Sequence, residues 1–325
     1  MEYRDVIAIG SSTGGVDALK RICSGLPGDL AAAVFVVLHM RADGPNLLAE
    51  ILQTQSSLSV RLAVDGEPVE RGCIYVAAAD RHLLIIDDFI RLGRGPRENL
   101  TRPAIDPLFR SVAASYGPRA IGLVLTGELN DGAAGLGDLK RCGGVTVVQS
   151  PADAQASEMP ASALQASDVD YRAPLSQLPD VLTYLVGQPA GPRPLVPRAI
   201  ELEVDIALGR PCLTATINEL ADPAPLSCPA CSGVLSQVRD TSPLRYRCQV
   251  GHGYTAQALD AVQQTDLDEA IRVALRIIEE RAVLSERMAA EARSAGREHS
   301  ARSFQDRASE MRAYAETLRR AALSG

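Results

Sequence analysis

The stretch Val6-Ile7-Ala8-Ile9-Gly10-Ser11-Ser12-Thr13-Gly14-Gly15-Val16-Asp17-Ala18-Leu19-Lys20-Arg21-Ile22 decides how this chain is read. Val6 to Ile9 is a short unbroken apolar run, as a strand covered on both faces requires. Val16, Leu19 and Ile22 then recur at helical spacing. Between strand and helix lies Gly10-x-Ser12-x-Gly14, the context of a nucleophile elbow. Flanking glycines permit a sharp turn that lifts the Ser12 hydroxyl clear of the sheet edge. The Thr13 amide can then face a developing oxyanion near the helix N-terminus. The same residues also read as a turn that merely joins strand to helix, or cradles a phosphate.

Working outward, Val34–Leu38, Ile121–Leu125 and Val145–Val148 are further apolar runs of strand length. Cys73–Ala77 and Leu83–Ile86, separated by a charged turn, read as an antiparallel hairpin on one edge. The expected fold is α/β, a doubly wound and mostly parallel sheet flanked by helices. A serine nucleophile needs a base and an orienting carboxylate. His39 directly follows Val34–Leu38, and Asp131 lies in Thr126-Gly127-Glu128-Leu129-Asn130-Asp131-Gly132, just past Ile121–Leu125. Alone, each has an ordinary alternative, a strand-end histidine and a turn aspartate. Together, Ser12, His39 and Asp131 all fall past the C-terminal ends of candidate central strands, where open α/β sheets bind ligands. The order Ser, His, Asp differs from the Ser, Asp, His order of α/β-hydrolases.

Composition sets the outer bounds. With 325 residues, about two domains are expected. Hydrophobic residues are 46%, aromatics 4% and Trp is absent, so the core must rest on Ala, Val, Leu and Ile. Net charge is −7, against the basic footprint of a nucleic-acid binder. The charged N-terminus and the lack of any run near 18 apolar residues disfavour export and membrane insertion. The expected compartment is the cytoplasm, and the seven Cys are expected as reduced thiols or metal ligands.

The segments AIGSSTGGVDAL, VVLHM, TRPAIDPLFRSVA, VLTGELNDGAAGL and EMPASAL, in collinear order over roughly residues 4 to 186, resemble the catalytic domain of the chemotaxis methylesterase CheB. The resemblance implies a serine esterase that demethylates glutamate methyl esters on chemoreceptor helices and can deamidate receptor glutamines. It implies no cofactor for catalysis, and carries the family triad onto Ser12, His39 and Asp131. Met159 and Arg102 resemble family positions near the cleft, although Arg102 also reads as a solvated surface charge. Two departures stand out. The catalytic strand begins within six residues of the start, so the receiver domain of the best-known members is expected to be absent. Activity is then constitutive or controlled by a separate regulatory protein. Those members also have Met-Gly where this chain has Glu128-Leu129, which puts a carboxylate near the cleft.

Residues 1–186 are thus expected as the catalytic domain and 187–198, with four prolines, as a semi-rigid linker. Residues 199–262 are expected as a Cys-containing module. Cys228-Pro-Ala-Cys231, then Cys248 and His252, have the spacing of a zinc ribbon with one Cys replaced by His, a structural site with no open position. The other reading is a metal-free cluster packed in a small core. Residues 263–325 are expected as a helical hairpin, with Leu267, Ile271, Ala274, Ile278 and Ala282 on one face and Phe304, Met311, Tyr314 and Leu318 forming a weaker stripe. Its acidic and basic residues balance, which suits a dimerising or partner-binding element, or a plain cap on the ribbon. The alternative for the whole chain is a catalytically idle scaffold that binds a partner through these helices. Dinucleotide binding is disfavoured, because Gly10-x-Ser12-x-x-Gly15 lacks the middle glycine and no acidic residue ends a strand about 20 residues on.

Overall fold

The computed structural model describes residues 2–44 and 46–323, in two compact units, one ending at Leu259 and one starting at Asp260. The chain runs β1 (Val6–Ser11), α1 (Gly15–Gly25), β2 (Ala33–Leu38), α2 (Leu48–Gln53), β3 (Ser59–Leu62), β4 (Cys73–Val76), β5 (His82–Ile86), β6 (Phe89–Gly93) and α3 (Ile105–Tyr116). It continues with β7 (Ala120–Val124), α4 (Ala133–Arg141), β8 (Val145–Gln149), α5 (Glu158–Ala166), β9 (Tyr171–Ala173), α6 (Leu178–Leu185), α7 (Arg198–Leu208) and α8 (Thr214–Leu220). Then come β10 (Ala221–Ser227), β11 (Val234–Val238), β12 (Arg245–Cys248), β13 (Gly253–Thr255), α9 (Ala256–Ser294) and α10 (Glu298–Leu323).

Seven strands form one parallel sheet in the order β3-β4-β2-β1-β7-β8-β9. Alternate residues of each strand enter different cores. Ala8, Phe35 and Tyr75 pack with α3, α4 and α5, while Ile9, Val36 and Ile74 pack with α1, α2 and α6. Covering both faces is why the central strands read as unbroken apolar runs. Strand order reverses between β1 and β7, a topological switch point, where open α/β sheets bind ligands.

The expected edge hairpin is corrected by the structure. Cys73–Val76 belongs to the parallel sheet, between β2 and β3. Leu83–Ile86 lies in β5, which pairs antiparallel with β6 as a separate two-stranded sheet. Asp87 and Asp88, both at positive φ (52° and 62°), make the tight turn. That two-residue geometry matches the twist of a hairpin but is usually signalled by Asn-Gly, so the Asp pair conceals it.

After the proline-rich segment, α7 packs on α3, and Ile200 enters the same core as Phe109. The Cys-containing sequence is a four-stranded antiparallel sheet, β10-β11-β12-β13. Helix α9 begins at Ala256, earlier than expected. In the second unit, Glu286–Arg312 and Glu279–Arg319 ion pairs link antiparallel α9 and α10. The last two residues of the expected 263–325 hairpin lie outside the described residues.

Most of its expected packing stripe is covered: Ile271, Ala274, Ile278, Phe304, Met311 and Leu318 are half-buried. Ala282, Ala289 and Ala292 on α9 are buried, as are Ala301, Ala308 and Ala315 on α10, while Leu267 and Tyr314 are 53% and 51% exposed. Heptad-spaced alanines form the seam because side chains that end at Cβ let two helices meet closely. Among the described residues, no helix is long and apolar enough to cross a membrane.

Candidate active site and Cys/His cluster

The elbow is built as its glycines require. Gly14 caps α1 at φ 78°, a left-handed conformation that disfavours a side chain. A Cβ on Gly10 would sit 2.2 Å from Ile105 Cγ2, and one on Gly127 only 2.1 Å from Met159 Sδ and 2.8 Å from Ser12 Cβ. Backbone from the β7 end therefore approaches the nucleophile closely. Of the adjacent serines, Ser11 is buried and donates to the Thr126 carbonyl at 3.1 Å. Ser12 Oγ instead lies 3.2 Å from His39 Nδ1. Thr126 locks the turn, its hydroxyl donating to the Thr13 carbonyl at 2.9 Å and accepting from Ala156 N–H at 2.8 Å.

His39 Nε2 is 2.7 Å from Asp131 Oδ2. Because an ionised carboxylate only accepts, the proton belongs on Nε2, and Nδ1 is left to accept from Ser12. Asp131 is buried and also receives the Ile105 N–H at 2.6 Å, the Asn99 amide at 2.9 Å, and the Gly132 and Asp106 N–H groups at 3.0 and 3.3 Å. Two of these donors open α3, whose N-terminal dipole favours a negative charge. Burial pushes the Asp131 carboxyl up, but the hydrogen bonds from His39, Ile105 and Asn99 outweigh it and hold the group below its ordinary value. Neighbouring Asp106 goes the other way. Burial first, and then the charge of Asp131, push it up to about 7.

The other expected pocket residues separate. Thr13 is exposed, and among the described residues the Thr13, Gly14 and Glu128 N–H groups have no hydrogen-bond partner. Met159 is fully buried against Gly127, beside Ser12. Glu128 is exposed, and Leu129 follows at φ 60°, with its N–H on Glu158 at 2.7 Å. Arg102 is half-buried. Its guanidinium donates to Asp80 at 2.7 and 3.0 Å and to the Gly95 carbonyl at 2.8 Å. Asn99, Thr126 and Gly127 were missed in the sequence. Gly127 and Thr126 carry a signal, as they flank the same strand end as Asp131. Asn99 carries none, because its partners lie far along the chain.

His82, on β5, supports the start of α3. Its Nε2 donates to the Pro96 carbonyl at 3.0 Å and its Nδ1 accepts from Ala104 N–H at 3.3 Å, so it is neutral. Full burial pushes its pKa down. The unfolded chain then takes up a proton below about pH 6.5 that the folded chain refuses, so stability falls as pH drops through that range. Asp106 acts with the opposite sign, since a raised carboxyl favours the folded state at low pH. Urea melts of wild type and His82→Gln should therefore converge as pH falls below 6.5, by at most about 1.4 kcal/mol per pH unit. A gap that is independent of pH would show that His82 is not held neutral.

A second cluster lies in the β10–β13 sheet. Cys228 and Cys231 sit in the loop between β10 and β11, Cys248 ends β12 and His252 precedes β13. One ligand atom from each lies within 4.8 Å of all the others. Cys231 Sγ is 3.7 Å from Cys248 Sγ, and His252 Nδ1 is 3.5 Å from Cys248 Sγ and 3.8 Å from Cys228 Sγ.

A parallel α/β sheet that carries Ser, His and Asp in line at its switch point has the architecture of a serine hydrolase. The CheB methylesterase family model matches residues 7–182. The chain belongs to that family. A protein-glutamate methylesterase/protein-glutamine glutaminase of Methanosarcina mazei is 36% identical over 191 residues, 56% of this chain and 52% of that protein. A putative protein of the same name from Leptospira interrogans is 36% identical over 57% of this chain and 96% of its own length. The catalytic domain of Thermotoga maritima CheB methylesterase superposes with a TM-score of 0.54 at 32% identity, covering 57% of this chain and all of that one. The chain thus spans about half the length of several curated relatives it matches, including the first.

Proposed function

We propose that the chain hydrolyses glutamate methyl esters on chemoreceptors through Ser12, His39 and Asp131, with deamidation of receptor glutamine as a second activity of the same site. The observation that carries this reading is the continuous line Ser12–His39–Asp131 at 3.2 and 2.7 Å. The names of the relatives supply the substrate class. His39 Nδ1 takes the Ser12 proton as Oγ attacks the ester carbonyl carbon. The tetrahedral oxyanion is held by the free N–H groups at the head of α1. Methoxide leaves and takes the proton from Nδ1 as methanol. Water then attacks the acyl-enzyme, passes a proton to Nδ1, and Ser12 reclaims it as glutamate departs. Asp131 keeps the Nε2 tautomer throughout and stabilises the imidazolium. A fluorophosphonate should label Ser12 in the wild type and fail with His39→Ala. Absence of labelling in the wild type would favour the idle scaffold.

We also propose that Cys228, Cys231, Cys248 and His252 hold a structural zinc. A tetrahedron with Zn–S of about 2.3 Å and Zn–N of about 2.0 Å has S···S edges of about 3.8 Å and S···N edges of about 3.5 Å. Three of the six edges, at 3.5, 3.7 and 3.8 Å, support that set, and all four atoms lie within 4.8 Å of one another. Purified protein should carry stoichiometric zinc by elemental analysis, and the Cys228→Ser/Cys231→Ser pair should carry almost none and melt at lower temperature. Metal-free wild type of unchanged stability would rule the site out.

A further inference from the structure

The family match ends at residue 182, yet Asn99, which holds the triad carboxylate, is itself held by a residue far beyond it. The strap before α3 runs alongside β13. Gly253 N–H donates to the Arg97 carbonyl at 3.3 Å, and Asn99 N–H donates to the Gly253 carbonyl at 2.9 Å. A Cβ on Gly253 would lie 3.1 Å from Glu98 Cγ and 3.0 Å from Arg247 Nη2, so the strand and the strap approach closely. The Thr255 N–H then donates to Asn99 Oδ1 at 2.9 Å. That bond decides which way the Asn99 amide faces. With its oxygen engaged, Nδ2 must serve the two carboxylates, Asp131 Oδ1 at 2.9 Å and Asp106 Oδ2 at 3.1 Å. The Thr255 hydroxyl holds the other side. It donates to Asn130 Oδ1 at 2.6 Å, immediately before Asp131 in the chain, and accepts from Ala258 N–H at 3.2 Å. Asn99 and Thr255 are both buried. Asn99 stands at φ 48° and Leu100 at φ 71°, a left-handed pair that persists only where its surroundings hold it.

The sheet that supplies β13 is anchored by buried ion pairs. Arg245 and Arg247 on β12 reach Glu98 in the strap and Glu203 on α7, all four buried. His252, one of the four clustered ligands, directly precedes β13.

We propose that Asn99 is a positioning residue for Asp131, oriented by Thr255, so that the Cys/His module is a structural part of the active site. The inference rests on the triad reading given above. Asn99 touches no reacting atom. It fixes one carboxylate oxygen so that the other meets His39 Nε2. Thr255 fixes both the amide that does this and the residue beside Asp131. The family-matched segment alone therefore lacks part of its own orienting shell.

The test uses the full chain with Thr255→Val, Thr255→Ser and Asn99→Ala. The first readout needs no substrate: the low-field proton resonance of the His39 Nε2–H, which reports its hydrogen bond to Asp131. It should shift or broaden in Thr255→Val and Asn99→Ala and return in Thr255→Ser. The second readout is kinetic. On methylated receptor, kcat should fall about 10- to 100-fold in the first two variants, with KM within about twofold, and recover in Thr255→Ser. Circular dichroism melts precede both measurements, and if Thr255→Val does not fold, Asn99→Ala decides. A wild-type resonance in the Asn99→Ala variant overturns the inference, even where Ser12-dependent hydrolysis is intact. Wild type that shows no such hydrolysis overturns the triad reading, and the resonance still decides the positioning role.

Discussion

Ser12→Ala should abolish ester hydrolysis, lowering kcat by at least about 10⁴-fold while the protein stays folded. No neighbouring group can replace the lost hydroxyl. Ser11, one residue away, has its Oγ buried on the Thr126 carbonyl. Moving it to His39 would require the strand to flip. Water activated by His39 could still react, helped by the free N–H groups at the head of α1, so a small residual rate is expected. Ser11→Ala is the matched control. It removes one buried hydrogen bond, costs about 1 kcal/mol of stability and leaves kcat within a fewfold of wild type. Methanol release from methylated receptor checks both variants. A Ser12→Ala protein that releases methanol at near wild-type rate would remove Ser12 from the chemistry.

Arg110→Met should cost about 3–5 kcal/mol, a large part of a typical domain's stability. Arg110 is fully buried on α3 and faces four carboxylates: Glu98 at 2.6 Å, Asp138 at 2.8 Å, Glu203 at 3.3 Å and Asp106 at 3.5 Å. Burial alone pushes Glu98 up, and Arg110 leads Arg247 and Arg245 in holding it well below its ordinary value. Methionine keeps the packing of the stem and deletes only the charge. The buried carboxylates then repel one another, a penalty that protonation can relieve. The deficit in urea melts should therefore shrink as pH is lowered from neutrality towards about 5. A loss below about 1 kcal/mol at neutral pH would mean that the network contributes little.

The sheet and its triad were legible because each signal is local. Val6–Ile9 and Val34–Leu38 are buried on both faces and so lose all polar residues. Catalytic groups at a switch point must follow such runs directly, and Ser12 and His39 do. The β5–β6 hairpin was misread because its turn is Asp87-Asp88, a pair that accepts positive φ without advertising it. The α9–α10 stripe was read except at Leu267 and Tyr314, which are exposed, and the inner alanines Ala289, Ala292, Ala301, Ala308 and Ala315 were not read because alanine gives no amphipathic contrast.

By itself, then, the sequence determined the parallel α/β sheet, the elbow at Ser12, the grouping of His39 and Asp131 with it, and the clustering of Cys228, Cys231, Cys248 and His252. Each depends on residues close in the chain or on fixed spacing. Only the tertiary structure decided that Nδ1 is the accepting nitrogen, and that Asn99 and Thr255 brace Asp131. Those are hydrogen-bond choices between groups as many as 156 residues apart. A polar side chain in a sequence shows what it can donate or accept, and only the folded chain brings it a partner.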